Sequence, residues 1–327
     1  MKKNLTVLMA AVLAAASLAG CGSSKPAETN AAATTAAATE AAATEAATTA
    51  AEETTAAAEE SKADSASEGT AEIPTDFTTI TPGKLTVGTS PDFAPYEFYH
   101  VNNGTPELAG FDMALAQRIA DDLGLELQVV TIDFDGILME LQNGNIDLGI
   151  SGFSPSPERK ETFDFSDLYY TGGQAFVIRK ADVDKYKDFE AFKGLPVGAQ
   201  NGSIQMGLAE KNTPDANIIG LTKVTDIISE LISGKLEGAF IETAVAEQYI
   251  KNYPELQIAW DVPYEAEGSA IALKKGSDLA PAVNAVINNA LSDGSMAEYI
   301  ATAQDLASDE ANVFEGQLDE NGKATAN

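Results

Sequence analysis

From Leu85 onward, segments with the two-residue period of a β-strand alternate with segments carrying the apolar stripe of a helix, and that alternation restricts the chain to an α/β architecture. Leu85-Thr86-Val87-Gly88-Thr89 reads as a strand. Leu115, Ile119 and Leu123 line one face of a helix over Phe111 to Leu123, which Gly124 closes. Strand patterns at Leu125 to Val130 and Ile146 to Ile150 flank a helix over Gly136 to Asn143. A second series starts at Gln174 to Ile178 and continues with strands at Val197 to Ala199, Ile218-Ile219 and Gly238 to Ile241. Helices interleave at Ser203 to Glu210, Thr225 to Ser233 and Thr243 to Asn252. A late strand, Ser269 to Leu273, precedes helices near Leu279 to Leu291 and Ser295 to Ala303. Two α/β units, with one strand leaving the first and another returning to it, predict two lobes joined by two crossovers.

The N-terminal third follows different rules. Lys2 and Lys3 precede an apolar stretch, Leu5 to Ala19, that is short for a bilayer span and reads as an export signal over residues 1–20. It ends in Leu18-Ala19-Gly20-Cys21, which resembles the lipobox of bacterial lipoproteins; the resemblance implies that Cys21, the single cysteine, is lipidated. Residues 21–81 are rich in Ala, Thr and Glu and nearly free of aromatics, too polar to offset their ordering entropy, and read as a disordered tether. As a flexible coil of this length the tether would average roughly 40–45 Å. The expected organisation of the rest is lobe 1 at 82–173 and 269–307, lobe 2 at 174–264, and a polar tail at 308–327. With 50 acidic against 20 basic residues the formal net charge is −30, which argues against nucleic acid and anionic lipid surfaces as partners.

Ligands of open α/β sheets bind beyond the carboxyl ends of the strands, often at helix N-termini. The chemically distinctive residues fall at those ends: Ser90 to Phe93, Phe134, Ser151 to Arg159, Gln200 to Ser203, and Glu242. Within Ser151-Gly152-Phe153-Ser154-Pro155-Ser156-Pro157-Glu158-Arg159, small hydroxyl residues lead through a proline-bracketed turn to a guanidinium. Such a set suits a carboxylate, because arginine offers a rigid fork of donors and the hydroxyls and free amides complete the shell. Only three arginines occur, Arg118, Arg159 and Arg179. At this level two readings of Arg159 stand, a carboxylate clamp or a surface ion pair with Glu158 or Glu161.

Further motifs accompany these strand ends. They are Phe93-Ala94-Pro95-Tyr96-Glu97-Phe98, Gly110-Phe111-Asp112, Leu141-Gln142-Asn143-Gly144-Asn145-Ile146-Asp147, Phe163 to Tyr170, Val197 to Ser203, and Glu237 to Glu242. In this order they resemble family 3 of the extracellular solute-binding proteins, the polar amino-acid receptors of ABC importers. The resemblance implies the two-lobed, type II periplasmic-binding-protein-like fold, closing on a free amino acid that is passed to a membrane permease. It places the ligand α-carboxylate on Arg159, with Ser154, Ser203 and backbone amides such as that of Gly152. It places the α-ammonium on Ser151 and Glu242, and the side chain between Phe93 and Phe134, for which core packing is the alternative. Gln200 lines the same cleft without adding charge. The crossovers then fall near Tyr169 to Gly173 and Tyr264 to Gly268, with Trp260 and Tyr264 packing between the lobes.

Two departures bear on the ligand. Ser90 stands where many members carry Asp, which points to an uncharged ligand side chain unless Asp92, Asp133 or Asp135 turns inward. Glu242 stands where Asp is usual, one methylene longer. The expected protein is a lipid-anchored, extracytoplasmic, monomeric receptor with no cofactor and no metal. Two other roles compete with delivery to a transporter. One is an enzyme like cyclohexadienyl dehydratase on the same fold, with Glu242 as base. The sole histidine, His100, lies in a polar turn and offers little to such a reaction. The other is a ligand sensor.

Overall fold

The computed structural model describes residues 70–265 and 268–308, with the backbone of 317–318 and 324–325; the export signal, Cys21, most of the tether and most of the tail lie outside the described residues. Lobe 1 opens with β1 (Lys84–Thr89), whose inward side chains Leu85 and Val87 are fully buried. A small antiparallel sheet follows, β2 (Asp92–Phe93), β3 (Glu97–Asn102) and β4 (Thr105–Ala109). Helix α1 (Phe111–Leu123) buries Phe111, Leu115 and Ile119, one residue per turn, and ends on Gly124 in the left-handed conformation. At its other end Gly110 has φ +118°, and a Cβ there would lie 2.0 Å from the Tyr96 carbonyl oxygen, so only glycine fits.

The chain continues through β5 (Glu126–Thr131), α2 (Phe134–Asn143), β6 (Leu148–Gly149), α3 (Pro157–Thr162) and β7 (Phe163–Tyr170). After β7 it enters a second sheet through β8 (Gln174–Arg179), β9 (Pro196–Gln200), α4 (Ile204–Asn212), β10 (Asn217–Leu221), α5 (Val224–Ile232), β11 (Gly238–Glu242), α6 (Thr243–Asn252) and β12 (Leu256–Asp261). Strand β13 (Ser269–Lys274) returns to the first sheet, and α7 (Ala280–Ser292) and α8 (Ser295–Ala307) follow. The sheet orders are β5-β1-β6-β13-β7 and β10-β9-β11-β8-β12, both mixed; the second is built from consecutive strands, whereas β13 joins the first from beyond it. Among the described residues, only the connections from β7 to β8 and from β12 to β13 pass between these two sheets.

Two expectations need correction. The reading of a tether extending to residue 81 stops short, because residues 71–80 are fastened to lobe 1. The backbone of Ala71 exchanges two hydrogen bonds with the Asn289 amide on α7. The amide of Thr78 donates to Asp278 and that of Ile80 to Asp147, while Ile73 and Phe77 pack on the core. These two large apolar side chains give the segment something to bury, which the Ala/Thr/Glu run before it lacks. Second, Trp260 does not pack between the lobes. Its ring partners, Phe176 at 5.6 Å, Phe189 at 5.1 Å and Phe192 at 6.2 Å, all belong to the core of lobe 2.

Candidate functional site

The expected strand-end residues converge where the lobes meet. Arg159 sits in α3, a single helical turn and a half started by Pro157 and capped by Ser156, whose hydroxyl accepts from the Arg159 amide. Its guanidinium lies over the stacked rings of Phe134 and Phe153, at 5.8 and 5.4 Å from their centres. It donates 3.0 Å to the Ser154 carbonyl and, across to lobe 2, 3.0 Å to the Gly202 carbonyl. Arg118 and Arg179 each pair with two carboxylates, whereas Arg159 pairs with none among the described residues. The surface ion pair with Glu158 or Glu161 is therefore not formed. Burial pulls the Arg159 pKa down to about 10, with the Glu158 charge acting in the opposite direction. A partly desolvated cation held by two carbonyls and two aromatic faces is a ready anion site.

Ser90, Ser151 and Gly152 form the floor on the lobe 1 side. The Ser90 amide donates to the Ser151 hydroxyl at 3.2 Å, and Ser151 donates 2.5 Å to Glu97. Gly152 has φ +57°, and a Cβ there would lie 2.9 Å from the Phe93 ring, so the turn and the aromatic wall fit only with glycine. The Gly152 amide donates to Asp112 rather than into the cleft. Phe93 packs on Tyr96 at 5.2 Å, whereas Phe134 stacks on Phe153 at 4.8 Å, so each ring has a platform within its own lobe. Phe153, fully buried beneath Arg159, was not among the expected site residues; its position six residues before Arg159 was the available signal.

From lobe 2, Gln200 reaches back to Asp92, and Ser203 caps α4 by accepting from the Met206 amide and donating to the Gln200 carbonyl. Glu242 caps α6 through Oε2, which accepts 3.0 Å from the Val245 amide. Its other oxygen, Oε1, is buried with no hydrogen-bond partner. It lies where a Cβ of Gly172 would be, 2.5 Å away, so glycine in the first crossover leaves the space for the carboxylate. Burial raises the Glu242 pKa to about 7, with the amides at the start of α6 and the Tyr96 hydroxyl pulling the other way.

Behind Ser151 lie two fully buried carboxyls, Glu97 and Asp112, that sequence reading had placed only within motifs. Burial raises both, Asp112 to about 6, and the Asp112 charge pushes Glu97 higher still. Two facing carboxyls without a cation retain a proton between them. Asp112 also accepts from the Tyr169 hydroxyl at 3.0 Å, fixing the strand that leads into the first crossover.

These shifts set a pH dependence. Each acid has a folded pKa above its ordinary value, so each favours the folded state at low pH and loses that contribution as pH rises through its folded pKa. The ligand-free protein is therefore expected to melt lower at pH 8 than at pH 5, Glu242 alone contributing roughly 2–3 kcal/mol to the decline. Calorimetry of Glu242→Gln should show a shallower fall; an identical slope would remove Glu242 as its source.

The family profile of the bacterial extracellular solute-binding proteins, family 3, matches residues 85–302. The chain belongs to this family. Among its relatives, the arginine-binding extracellular protein ArtP of Bacillus subtilis is 35% identical over 218 residues, 65% of this chain and 83% of ArtP. The arginine-binding protein 1 of an ABC transporter of Escherichia coli is 28% identical over 64% of this chain and 84% of its own length. In structure, the amino acid ABC transporter substrate-binding protein AbpA of Streptococcus pneumoniae, solved with L-arginine bound, is 34% identical with a TM-score of 0.67, covering 70% of this chain and 97% of AbpA. An ancestral amino-acid-binding protein described as a precursor of cyclohexadienyl dehydratase is 30% identical with a TM-score of 0.61, over 67% of this chain and 95% of its own. As a family 3 protein the chain has the α/β fold of the type II periplasmic binding proteins.

Proposed function

We propose that this family 3 protein is the receptor of an ABC importer, closing its two lobes on a free amino acid that it delivers to the permease. The observation that carries this reading is Arg159, a half-buried guanidinium with no carboxylate partner among the described residues, on the lobe opposite Glu242, whose Oε1 has no hydrogen-bond partner. A cation and an anion left open on opposite lobes match the two charges that every free amino acid carries. Binding rather than turnover fits Glu242, because its second oxygen is committed to capping a helix and is poorly placed to move as a base.

The side chain is read as basic. Ser90 alone pointed to an uncharged ligand unless a neighbouring acid turned inward; Asp92 does turn inward and is buried, while Asp133 and Asp135 stay exposed. Asp92 and Glu242 then outnumber Arg159 in the cleft, a balance that favours a second positive charge on the ligand. The relatives named for arginine point the same way. A thermal-shift panel of the common amino acids on the full-length protein tests this. L-arginine at about 100 times its Kd should add roughly 2.7 kcal/mol of stability. A flat response to every amino acid would sink the reading, and a shift from uncharged ligands alone would sink its basic half.

The lipobox resemblance supports attachment of the mature chain to the outer face of the cell membrane through Cys21. Mass spectrometry of the processed protein is expected to find a lipid-modified Cys21 at its N-terminus. An unmodified Cys21 would count against the anchor.

A further inference from the structure

The cleft holds a second buried carboxylate whose bonding differs in kind from that of Glu242. Asp92 lies in lobe 1, yet its Oδ2 accepts 2.7 Å from the Val224 amide and 3.1 Å from the Gln200 side chain, both in lobe 2. Its Oδ1 accepts 2.7 Å from the Ser90 hydroxyl beside it. Both oxygens are thus taken by the protein, whereas Glu242 keeps one open.

Val224 is the first residue of α5, and the residue before it, Lys223, supplies no side-chain cap. The first amides of a helix need acceptors and carry a partial positive charge, so an uncapped start attracts a carboxylate. Here the cap comes from the opposite lobe. The Lys223 ammonium adds to the attraction. Opening the cleft separates Asp92 from Val224 and Gln200 together and leaves the helix start to water, whereas closing restores both bonds.

We propose that Asp92 is an interlobe latch: a positioning residue that caps α5 across the cleft and sets how long the closed state lasts. This rests on lobe closure around a ligand as proposed above, and adds that part of the closing energy is independent of the ligand. Because the latch forms only on closure, it should slow dissociation and leave the encounter unchanged.

The test compares the full-length protein with Asp92→Asn and Asp92→Ala, using L-arginine as the probe in stopped-flow binding. Asparagine preserves the shape and can still bond Ser90, so it removes the charge with little risk to the fold. Dissociation is expected to be about tenfold faster in Asp92→Asn and faster again in Asp92→Ala, with association within about twofold of the parent. An unchanged dissociation rate overturns the proposal. So does slower association with dissociation unchanged, because that would make Asp92 a source of attraction for a cationic ligand and not a latch. Hydrogen exchange at the Val224 amide in ligand-free protein gives a readout that needs no ligand. Exchange should accelerate about tenfold in Asp92→Asn, and equal rates would overturn the latch even if no amino acid binds the parent protein.

Discussion

Arg159→Ala is expected to abolish the thermal stabilisation by arginine while leaving the ligand-free protein as stable as before or more so. The two halves of this result have one cause. The guanidinium is half-buried and bonded to the carbonyls of Ser154 and Gly202, and burial lowers its pKa to about 10. Removing it costs two hydrogen bonds and relieves a desolvated cation, so the net change should be small. On the proposed reading the same group faces the ligand carboxylate when bound, and removing one member of such a charge pair costs roughly 2–5 kcal/mol, or about 30-fold to several thousand-fold in affinity. Arg159→Lys should recover little, since an ammonium cannot serve two carbonyls and a planar anion from one fork. Normal arginine binding by Arg159→Ala would show that the clamp lies elsewhere.

Gly202→Ala should impair binding with the clamp intact. Gly202 has φ +71° in the turn before α4, and its carbonyl receives the guanidinium from the other lobe. A Cβ there would lie 2.9 Å from the Asp135 Cβ and 3.0 Å from its Cα, both in lobe 1. Within lobe 2 the substitution costs roughly 1–2 kcal/mol for the left-handed backbone. Between the lobes it acts as a wedge, because the obstructing atoms are backbone and the first side-chain atom, which cannot swing aside. Affinity is expected to fall at least tenfold through faster release, while arginine still reaches the open cleft. A closed, arginine-bound crystal structure of Gly202→Ala with lobe separation unchanged would contradict this.

How much of this was legible in the chain depends on distance. Helices α1, α2 and α5 announce themselves, because an apolar stripe and a closing glycine are local signals. The small sheet β2–β4 and the strands β7 and β12 were not assigned, although Phe163-Asp164-Phe165 and Leu256-Gln257-Ile258 alternate as strands do. The first lies inside the motif that runs on from Arg159, and in the second a bulge between Ile258 and Trp260 breaks the alternation. Arg159, Ser151 and Glu242 stand out in the sequence as candidates because polar groups at strand ends have few structural reasons to be there. Asp92 was named there only as one of three acids able to turn inward; its bond to Val224 was out of reach, since the two lie 132 residues apart and no local pattern links a carboxylate to the start of a distant helix. Glu97 and Asp112 escaped for the same reason, each looking ordinary until the fold brings them together.

The segment from Ala71 to Ile80 is fastened at three places, to Asn289, Asp278 and Asp147, all in lobe 1. A force applied at the N-terminus is therefore delivered to one rigid half and never crosses the hinge. Tension does no work on opening or closing, and lobe 2 swings as a free arm from a fixed mount. On the proposed receptor reading, the grip on the solute is then insulated from tension in the N-terminal segment.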